Sequence, residues 1–406
     1  MKQFETQLPF DVIVVGAGPG GASAAYHLAR GGARVALIDR HQFPRDRVGG
    51  SAISVLAQDC LTGMGLTQWA QGYPASREVS FFGPRGTLAR LQLPPDRRHA
   101  LFIPSAELDG ALVRAVVAIG VTMMLGTEVV GVHTGAKAVH VHTTGPKLSA
   151  QLLVLAEGSQ AAIAASLGLV KRDPDFMAIK AQYLYEAGGA AEFHYLPGVL
   201  PCPAWALPAG QGFVSVGVSA NAGDVRNGRT DLHSLLARFT ANQVYGGMLT
   251  ASEPVRGPTI TPIRSSLSSV VPFSERVLLT GEAAGVVHPL TMESIGAAME
   301  SGRIVAQHAL YALQKQRLSA ADLSAYARAL RRRFLVEHRA ARLLRALLYS
   351  ERVLERIVGR AQRDPRFALM AANLFIGTQS SLGALTPANL GRYLTWWREP
   401  RRRSRR

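Results

Sequence analysis

Residues 11–39 constrain this chain more than any other stretch. Asp11-Val12-Ile13-Val14-Val15 is a short β-branched run of the kind that forms a buried parallel strand. Gly16-Ala17-Gly18-Pro19-Gly20-Gly21 follows and fits G-x-G-x-x-G at Gly16, Gly18 and Gly21. An Ala-rich helical segment over 22–31 and a second strand over 33–38 come next, and the unit closes on Asp39. Gly16 permits a tight turn, Gly18 lets the backbone approach a pyrophosphate, and Gly21 lets helix pack close to strand. The helix N-terminus at Pro19 and Gly20 offers free N–H groups and the positive end of its dipole to phosphates. Asp39 is placed to accept ribose hydroxyls. An acid there disfavours a 2′-phosphate, and the adjacent Arg40 keeps that choice open. A glycine motif alone is a weak signal. Strand, helix, second strand and terminal acid in this order make it a strong one for a dinucleotide-binding βαβ unit.

The rest of the chain narrows the class by exclusion. Its 406 residues are 48% apolar and 18% charged, enough core for two or three domains or one large composite. The two cysteines, Cys60 and Cys202, have no CxxC or His-partner spacing, so no metal site, iron–sulfur cluster or disulfide framework is expected. A reducing, cytoplasmic setting is the natural expectation. The N-terminal stretch runs directly into the glycine motif and does not read as a signal peptide. Apolar runs are broken by Arg114, Asn373 and Gly377 too early to span a bilayer. No nucleophile elbow or kinase-type loop is present.

The net charge of +17 is uneven. Residues 331–345 carry six Arg and one Glu, and residues 398–406 again carry six Arg and one Glu, so +10 sits in two C-terminal segments. No nucleic-acid-binding motif accompanies them. A solvated helix face with a frayed tail is the plain reading. Peripheral contact with an anionic membrane, with Trp396 and Trp397 at its interface, is the functional one.

NAD and FAD share the βαβ fingerprint, and four further segments decide between them. Phe43-Pro44-Arg45-Asp46-Arg47-Val48-Gly49-Gly50-Ser51 is similar to an FPRDKxCGGG loop, with Gly49 at the Cys position. Val154-Leu155-Ala156-Glu157-Gly158-Ser159 resembles ADG(A)xS, with Glu157 for Asp. Pro201-Cys202-Pro203-Ala204-Trp205-Ala206-Leu207-Pro208 resembles PxYxWxFP, matching at Pro201, Trp205 and Pro208. The most specific segment runs from Gly281-Glu282-Ala283-Ala284-Gly285 through His288-Pro289-Leu290-Thr291-Met292-Glu293-Ser294-Ile295-Gly296 to Ser301-Gly302. It resembles GDAAGxxNPLxGEGIxxAxxSG. Together these resemble the geranylgeranyl reductase family of FAD-dependent oxidoreductases, which includes menaquinone side-chain reductases and sits in a wider group with FAD aromatic hydroxylases and flavin-dependent halogenases. The likeness covers about residues 8–310.

The resemblance implies an α/β fold in which a Rossmann-type FAD-binding domain (8–165 and 256–315) is interleaved with an antiparallel β-sheet substrate domain (166–255, with part of 70–105). A helical C-terminal region (316–400) and a basic tail (401–406) follow. By residue, it implies cofactor contacts at Gly16, Gly18, Pro19, Gly20, Gly21, Asp39, Arg40, Arg47, Gly49, Gly50, Glu157, Gly281, Glu282, Ala284, Gly285, Pro289, Met292, Ser294 and Ile295. It implies substrate contacts at Trp205, Leu207 and Pro208. Catalytic candidates are His288, Glu293 and Trp205; Glu300, seven residues after Glu293, reads as a solvated helix face. Met292 and Ser294 replace glycines that give the flavin room, and Ser105 replaces an Arg.

The implied activity is flavin-dependent reduction of an apolar polyprenyl or quinone-linked substrate. No second G-x-G-x-x-G is present, so the donor would be external: NAD(P)H, a redox protein or a quinol. Two rivals stand beside it: an FAD monooxygenase, and a flavoprotein scaffold that has lost catalysis. The six lysines (Lys2, Lys137, Lys147, Lys171, Lys180, Lys315) include none in the early segment where a halogenase needs one, which counts against that chemistry.

Overall fold

The computed structural model describes residues 9–45, 50–185, 190–210, 212–242, 253–377 and 379–386. Arg47, Gly49, Trp396, Trp397 and the basic tail lie outside these.

The β-branched run folds as Phe10–Val15, the centre of an eight-stranded sheet. Val35–Asp39 and Leu148–Leu155 flank it in parallel, and Thr122–Leu125 and Val277–Leu279 extend the parallel array outward. Val12, Ile13 and Val14 are wholly buried, because a parallel strand is covered on both faces. The last strand comes from far along the chain, and so does the helix Ile295–Gln314 that packs on Pro19–Arg30. Small residues allow that approach: a Cβ on Gly302 would lie 2.4 Å from the Gly20 carbonyl oxygen.

A seven-stranded sheet runs in the order Arg256–Ile263, Phe176–Leu184, Phe213–Asn221, Pro203–Gly210, Ala191–Tyr195, Glu78–Phe82, Leu88–Gln92. It departs from a purely antiparallel expectation at one place. Ala191–Tyr195 pairs with Glu78–Phe82 in parallel, since the latter arrives by a long connection that a hairpin does not direct. The 170–265 segment, read as strand-rich, also holds the helices Ala222–Arg226 and Leu232–Asn242. Leu232, Leu236 and Phe239 recur at helical spacing and bury against Ile179, Ala181, Val214, Val216 and Val218 on one face of the sheet. The other face looks toward the FAD-type domain, where Gly50–Ile53 pairs with Leu101–Pro104.

Among the described residues four C-terminal helices follow, Ala320–Leu347, Glu351–Arg363, Pro365–Phe375 and Ser381–Ala384, capped by the side chains of Ser319, Ser350, Asp364 and Ser380. The second and third cover the outer strands of the seven-stranded sheet through Val358, Phe367, Val79 and Phe81. Glu300 is corrected here. It is buried, and its carboxylate accepts from Arg303 at 2.9 Å and Arg333 at 3.2 Å. Arg333 belongs to the next helix, which covers the face that the spacing alone reads as solvated. Among the described residues no helix is long and apolar enough to cross a membrane.

Candidate active site

A groove crosses the carboxyl ends of the parallel strands, where ligands of open α/β sheets bind. It is lined by Gly16, Gly18, Pro19, Gly20, Asp39 and Arg40, by Thr127–Val129, by Ala156–Gly158, and by Gly281, Glu282, Ser294 and Ile295. The glycines divide by what a side chain would meet. Gly16 has φ +101° and a Cβ there would sit 2.3 Å from the Ala156 carbonyl oxygen; on Gly21 it would sit 1.8 Å from the Gly16 oxygen. Both are demanded by the protein's own packing. Gly18 meets nothing within 4 Å, so its bareness serves what lies in the groove. The helix it begins has no side-chain cap, which leaves its first N–H groups for a phosphate.

Asp39 is 6% exposed. One oxygen accepts from Ala17 N at 2.8 Å and the other from His41 N at 2.9 Å. It thus fixes the glycine loop and lines the groove where ribose hydroxyls would lie. Thr127, Glu128 and Val129 close the far end, carried there because Leu125 pairs with Asp39 and Thr127 N donates to the Asp39 carbonyl at 3.0 Å. Arg45 lines the groove as well, held by the fully buried Asp109 at 2.8 Å. The shape and donor set fit a dinucleotide. FAD, when bound, supplies the two-electron chemistry; Gly18, Asp39, Arg40 and Glu282 are the residues placed to hold it.

Glu157 lines the groove, and its carboxylate accepts from Ile163 N at 2.8 Å and Ala164 N at 3.0 Å, capping the short helix Ala162–Ser166. Burial pushes its carboxyl above the usual carboxylate range. Gly285 has φ +75° and packs on the Ser266 carbonyl, and Ala284 is buried. Gly21, Ala284, Gly285 and Pro289 do not line the groove; the Pro289 carbonyl accepts from Arg345 at 3.0 Å.

The groove continues into a second cavity of about 360 Å³ between the two sheets. Glu282, Ser294 and Ile295 line both. Trp205, Leu207, Phe193, Phe375 and Ile376 form its apolar wall, and Met292, Thr291 and Glu293 its flavin-side rim. Pro208, expected beside Trp205, is not in the wall. Met292 stands at φ +58°, a left-handed conformation rare for any residue but glycine. Glu293 caps the Ile295–Gln314 helix, accepting from Gly296 N at 2.6 Å and Ser54 Oγ at 3.1 Å. Its burial raises the carboxyl pKa.

His288 takes another role. It lines neither cavity. Its Nδ1 accepts from Thr291 N at 3.2 Å and meets Thr291 Oγ1 at 3.0 Å, while Nε2 faces Glu337 Oε1 at 3.2 Å. The imidazole therefore ties the 288–291 turn to the Ala320–Leu347 helix. Ser54, Lys180 and Thr127–Val129 are site residues that no local pattern marked, while Arg45 and Ser159 lie in the FPRD-like and ADG-like segments, which do not single them out.

Residues 9–194 match the FAD binding domain family. The chain is 28% identical over 323 residues to a menaquinone reductase of Mycolicibacterium smegmatis, covering 73% of this chain and 75% of that protein. It is 28% identical over 356 residues to digeranylgeranylglycerophospholipid reductase 1 of Methanopyrus kandleri, covering 79% and 85%. The crystal structure of a geranylgeranyl bacteriochlorophyll reductase-like protein from Thermoplasma acidophilum superposes with a TM-score of 0.77 at 18% identity, covering 95% and 98%. Fold and groove define an FAD-dependent oxidoreductase. In sequence it is similar to a menaquinone reductase and a digeranylgeranylglycerophospholipid reductase, and in fold to a geranylgeranyl bacteriochlorophyll reductase-like protein.

Proposed function

We propose that this protein reduces a carbon–carbon double bond in an apolar substrate, a polyprenyl chain or a quinone bearing one. The observation that carries this reading is the junction at Glu282, Ser294 and Ile295, where the dinucleotide groove opens into an aromatic-walled cavity. The names of the Mycolicibacterium and Methanopyrus relatives support it. The reaction adds two electrons and two protons across the bond. An external donor, NAD(P)H, a redox protein or a quinol, supplies the electrons to the bound flavin.

This chain's residues exclude water and hold a proton. Trp205, Leu207 and Phe193 keep the wall dry. Glu293, whose carboxyl pKa burial raises above the usual carboxylate range, is the proton donor at the cavity rim. The setting is the cytoplasmic face of an anionic membrane. The Ala320–Leu347 helix presents Arg332, Arg339 and Arg342 beside Val336 and Leu343, which are 57% and 58% exposed.

The test is anaerobic reduction of the FAD-loaded protein, then mixing with a polyprenyl menaquinone. Flavin reoxidation with a product two hydrogens heavier is expected, and Glu293→Gln slows product formation more than flavin reduction. Fast reoxidation by oxygen with a hydroxylated product would overturn the reading in favour of a monooxygenase. A colourless protein that FAD cannot reconstitute would leave a scaffold.

A further inference from the structure

His288 lines neither cavity, yet it fixes the hydrogen-bonding sense of a residue that does. Its Nδ1 accepts from Thr291 N at 3.2 Å and from Leu290 N at 3.4 Å. Backbone N–H groups only donate, so that nitrogen carries no proton and the ring proton is on Nε2. Nε2 faces Glu337 Oε1 at 3.2 Å and Ser381 Oγ at 3.3 Å. Glu337 is an acceptor at neutral pH, because its carboxyl is held down to about 2. A carboxylate on one side of the ring and two amides on the other therefore select a single tautomer.

Thr291 lines the cavity, and its Oγ1 is 3.0 Å from Nδ1. An unprotonated nitrogen at that distance draws the hydroxyl proton, since any other rotor sets two lone pairs against each other. Oγ1 also accepts from Glu293 N at 3.4 Å. A hydroxyl has one proton and two lone pairs, so Thr291 has a lone pair left to offer and no proton. Ser54, another lining residue, has its proton committed in the same way, donating to Glu293 Oε1 at 3.1 Å. The apolar wall of Leu207, Phe193, Phe375 and Ile376 carries no side-chain polar atom. An acceptor covered by an apolar ligand and left unpaired is costly, so the ligand that fits best brings a donor to it.

We propose that Thr291 Oγ1 is a hydroxyl-recognising acceptor in the substrate cavity, and that the ligand carries a neutral O–H group, as a prenyl alcohol or a hydroquinone ring does. This rests on the apolar-substrate reading above and narrows it: the chain meets the aromatic wall and the hydroxyl meets Thr291. A quinone in its oxidised form sets a carbonyl oxygen against the Oγ1 lone pair and is disfavoured. His288 and Glu337 act through Thr291 and are positioning residues. Sites built to bond a hydroxyl discriminate in this way, because the wrong ligand leaves the site's own polar group unpaired.

Equilibrium binding to the FAD-loaded protein tests it. The probes are geranylgeraniol and its methyl ether, and a prenylated naphthol, its methyl ether and menaquinone of the same chain length. Each hydroxyl compound is expected to bind about tenfold tighter than its ether, and the naphthol about tenfold tighter than menaquinone. Thr291→Val, which keeps the shape and loses the oxygen, removes that preference; Thr291→Ser keeps it. His288→Leu takes away the acceptor that holds the Thr291 proton, so menaquinone is expected to gain affinity severalfold. A histidine that only anchored the turn would not shift the balance toward a carbonyl. The tighter of geranylgeraniol and the naphthol names the source of the hydroxyl. Equal affinity for each hydroxyl compound and its ether, or a preference that survives Thr291→Val, overturns the acceptor and leaves the apolar reading intact. No binding of any probe overturns both.

Discussion

Ser159 Oγ donates to Glu282 Oε2 at 2.8 Å, across 123 residues of sequence, and so orients the carboxylate that borders both cavities. The same hydroxyl accepts from Arg264 N at 3.1 Å, and Arg264 is a buried cation whose Nη2 also reaches the Ser159 carbonyl. Glu282 stands where the family pattern has a one-methylene-shorter Asp, and Ser159 holds the longer side chain in one orientation. Ser159→Ala frees it. A hydrogen bond to a charged group contributes about 1.5–3 kcal/mol, so FAD affinity is expected to fall by about tenfold or more. Flavin fluorescence titration measures it; an unchanged affinity would show that Glu282 needs no such support.

Gly18 and Gly21 separate packing from binding. A Cβ on Gly21 collides with the Gly16 carbonyl, so Gly21→Ala is expected to yield little folded protein. Gly18 has φ −70° and open space before it. The unliganded Gly18→Ala protein should unfold within about 1 kcal/mol of the parent, because the poorer Ala N-cap is partly offset by about 0.4–1 kcal/mol from the lower freedom of the unfolded chain at a φ that Ala can adopt, yet bind FAD far more weakly. Thermal melts with and without FAD read both effects: the parent gains stability from FAD by mass action and the variant does not.

The dinucleotide unit was legible because its chemistry is local. Gly16, Gly18 and Gly21 act through backbone sterics within one turn, and Asp39 ends the strand beside them. What was not legible depends on register between distant strands. Thr127–Val129 reach the groove only through the Asp39–Leu125 pairing, and Lys180 reaches the cavity only through the alternation of a strand with no outward motif; for Arg45, inside the FPRD-like loop, what the pattern leaves out is its anchor on Asp109. Glu300 misled for the same reason: Arg333 comes from another helix. The His288 position carried a family signal, and the structure gives its ring to Thr291 and Glu337 and to the lining of neither cavity.

That histidine network sets an acid limit on stability. Burial holds the His338 pKa down to about 4, against an ordinary 6.5. Below pH 6.5 the unfolded chain takes up a proton that the folded one refuses, so stability falls with pH from there to about 4, by on the order of 3 kcal/mol. The Glu337 carboxyl is held down to about 2, with hydrogen bonds from His288 and Ser381 outweighing its desolvation. Its contribution is present above the ordinary carboxylate pKa and is lost as pH drops toward 2. Urea midpoints between pH 8 and 4 should decline in the parent. His338→Gln, which has no charge to gain, should flatten the 6.5-to-4 limb; a limb of unchanged slope would exclude His338 as its source.

Met292 combines a backbone fit for glycine with a side chain in the substrate cavity. A left-handed conformation costs an L-residue about 1–2 kcal/mol. Met292→Gly relieves that while losing a half-buried side chain and gaining unfolded-state freedom, so the two sides are expected to cancel to within about 1 kcal/mol. Met292→Val keeps a side chain but adds β-branching, which fits φ +58° worse, and should destabilise by about 1–2 kcal/mol. A strain-free Met292 would reverse the order, with the glycine variant the weaker. The glycine variant also widens the cavity beside the shared rim of Ser294 and Ile295, and should bind geranylgeraniol more tightly than the parent if the methionine obstructs the chain. Denaturant midpoints settle the strain and binding isotherms the obstruction; strain retained without any change in binding would assign Met292 to packing against the flavin side alone.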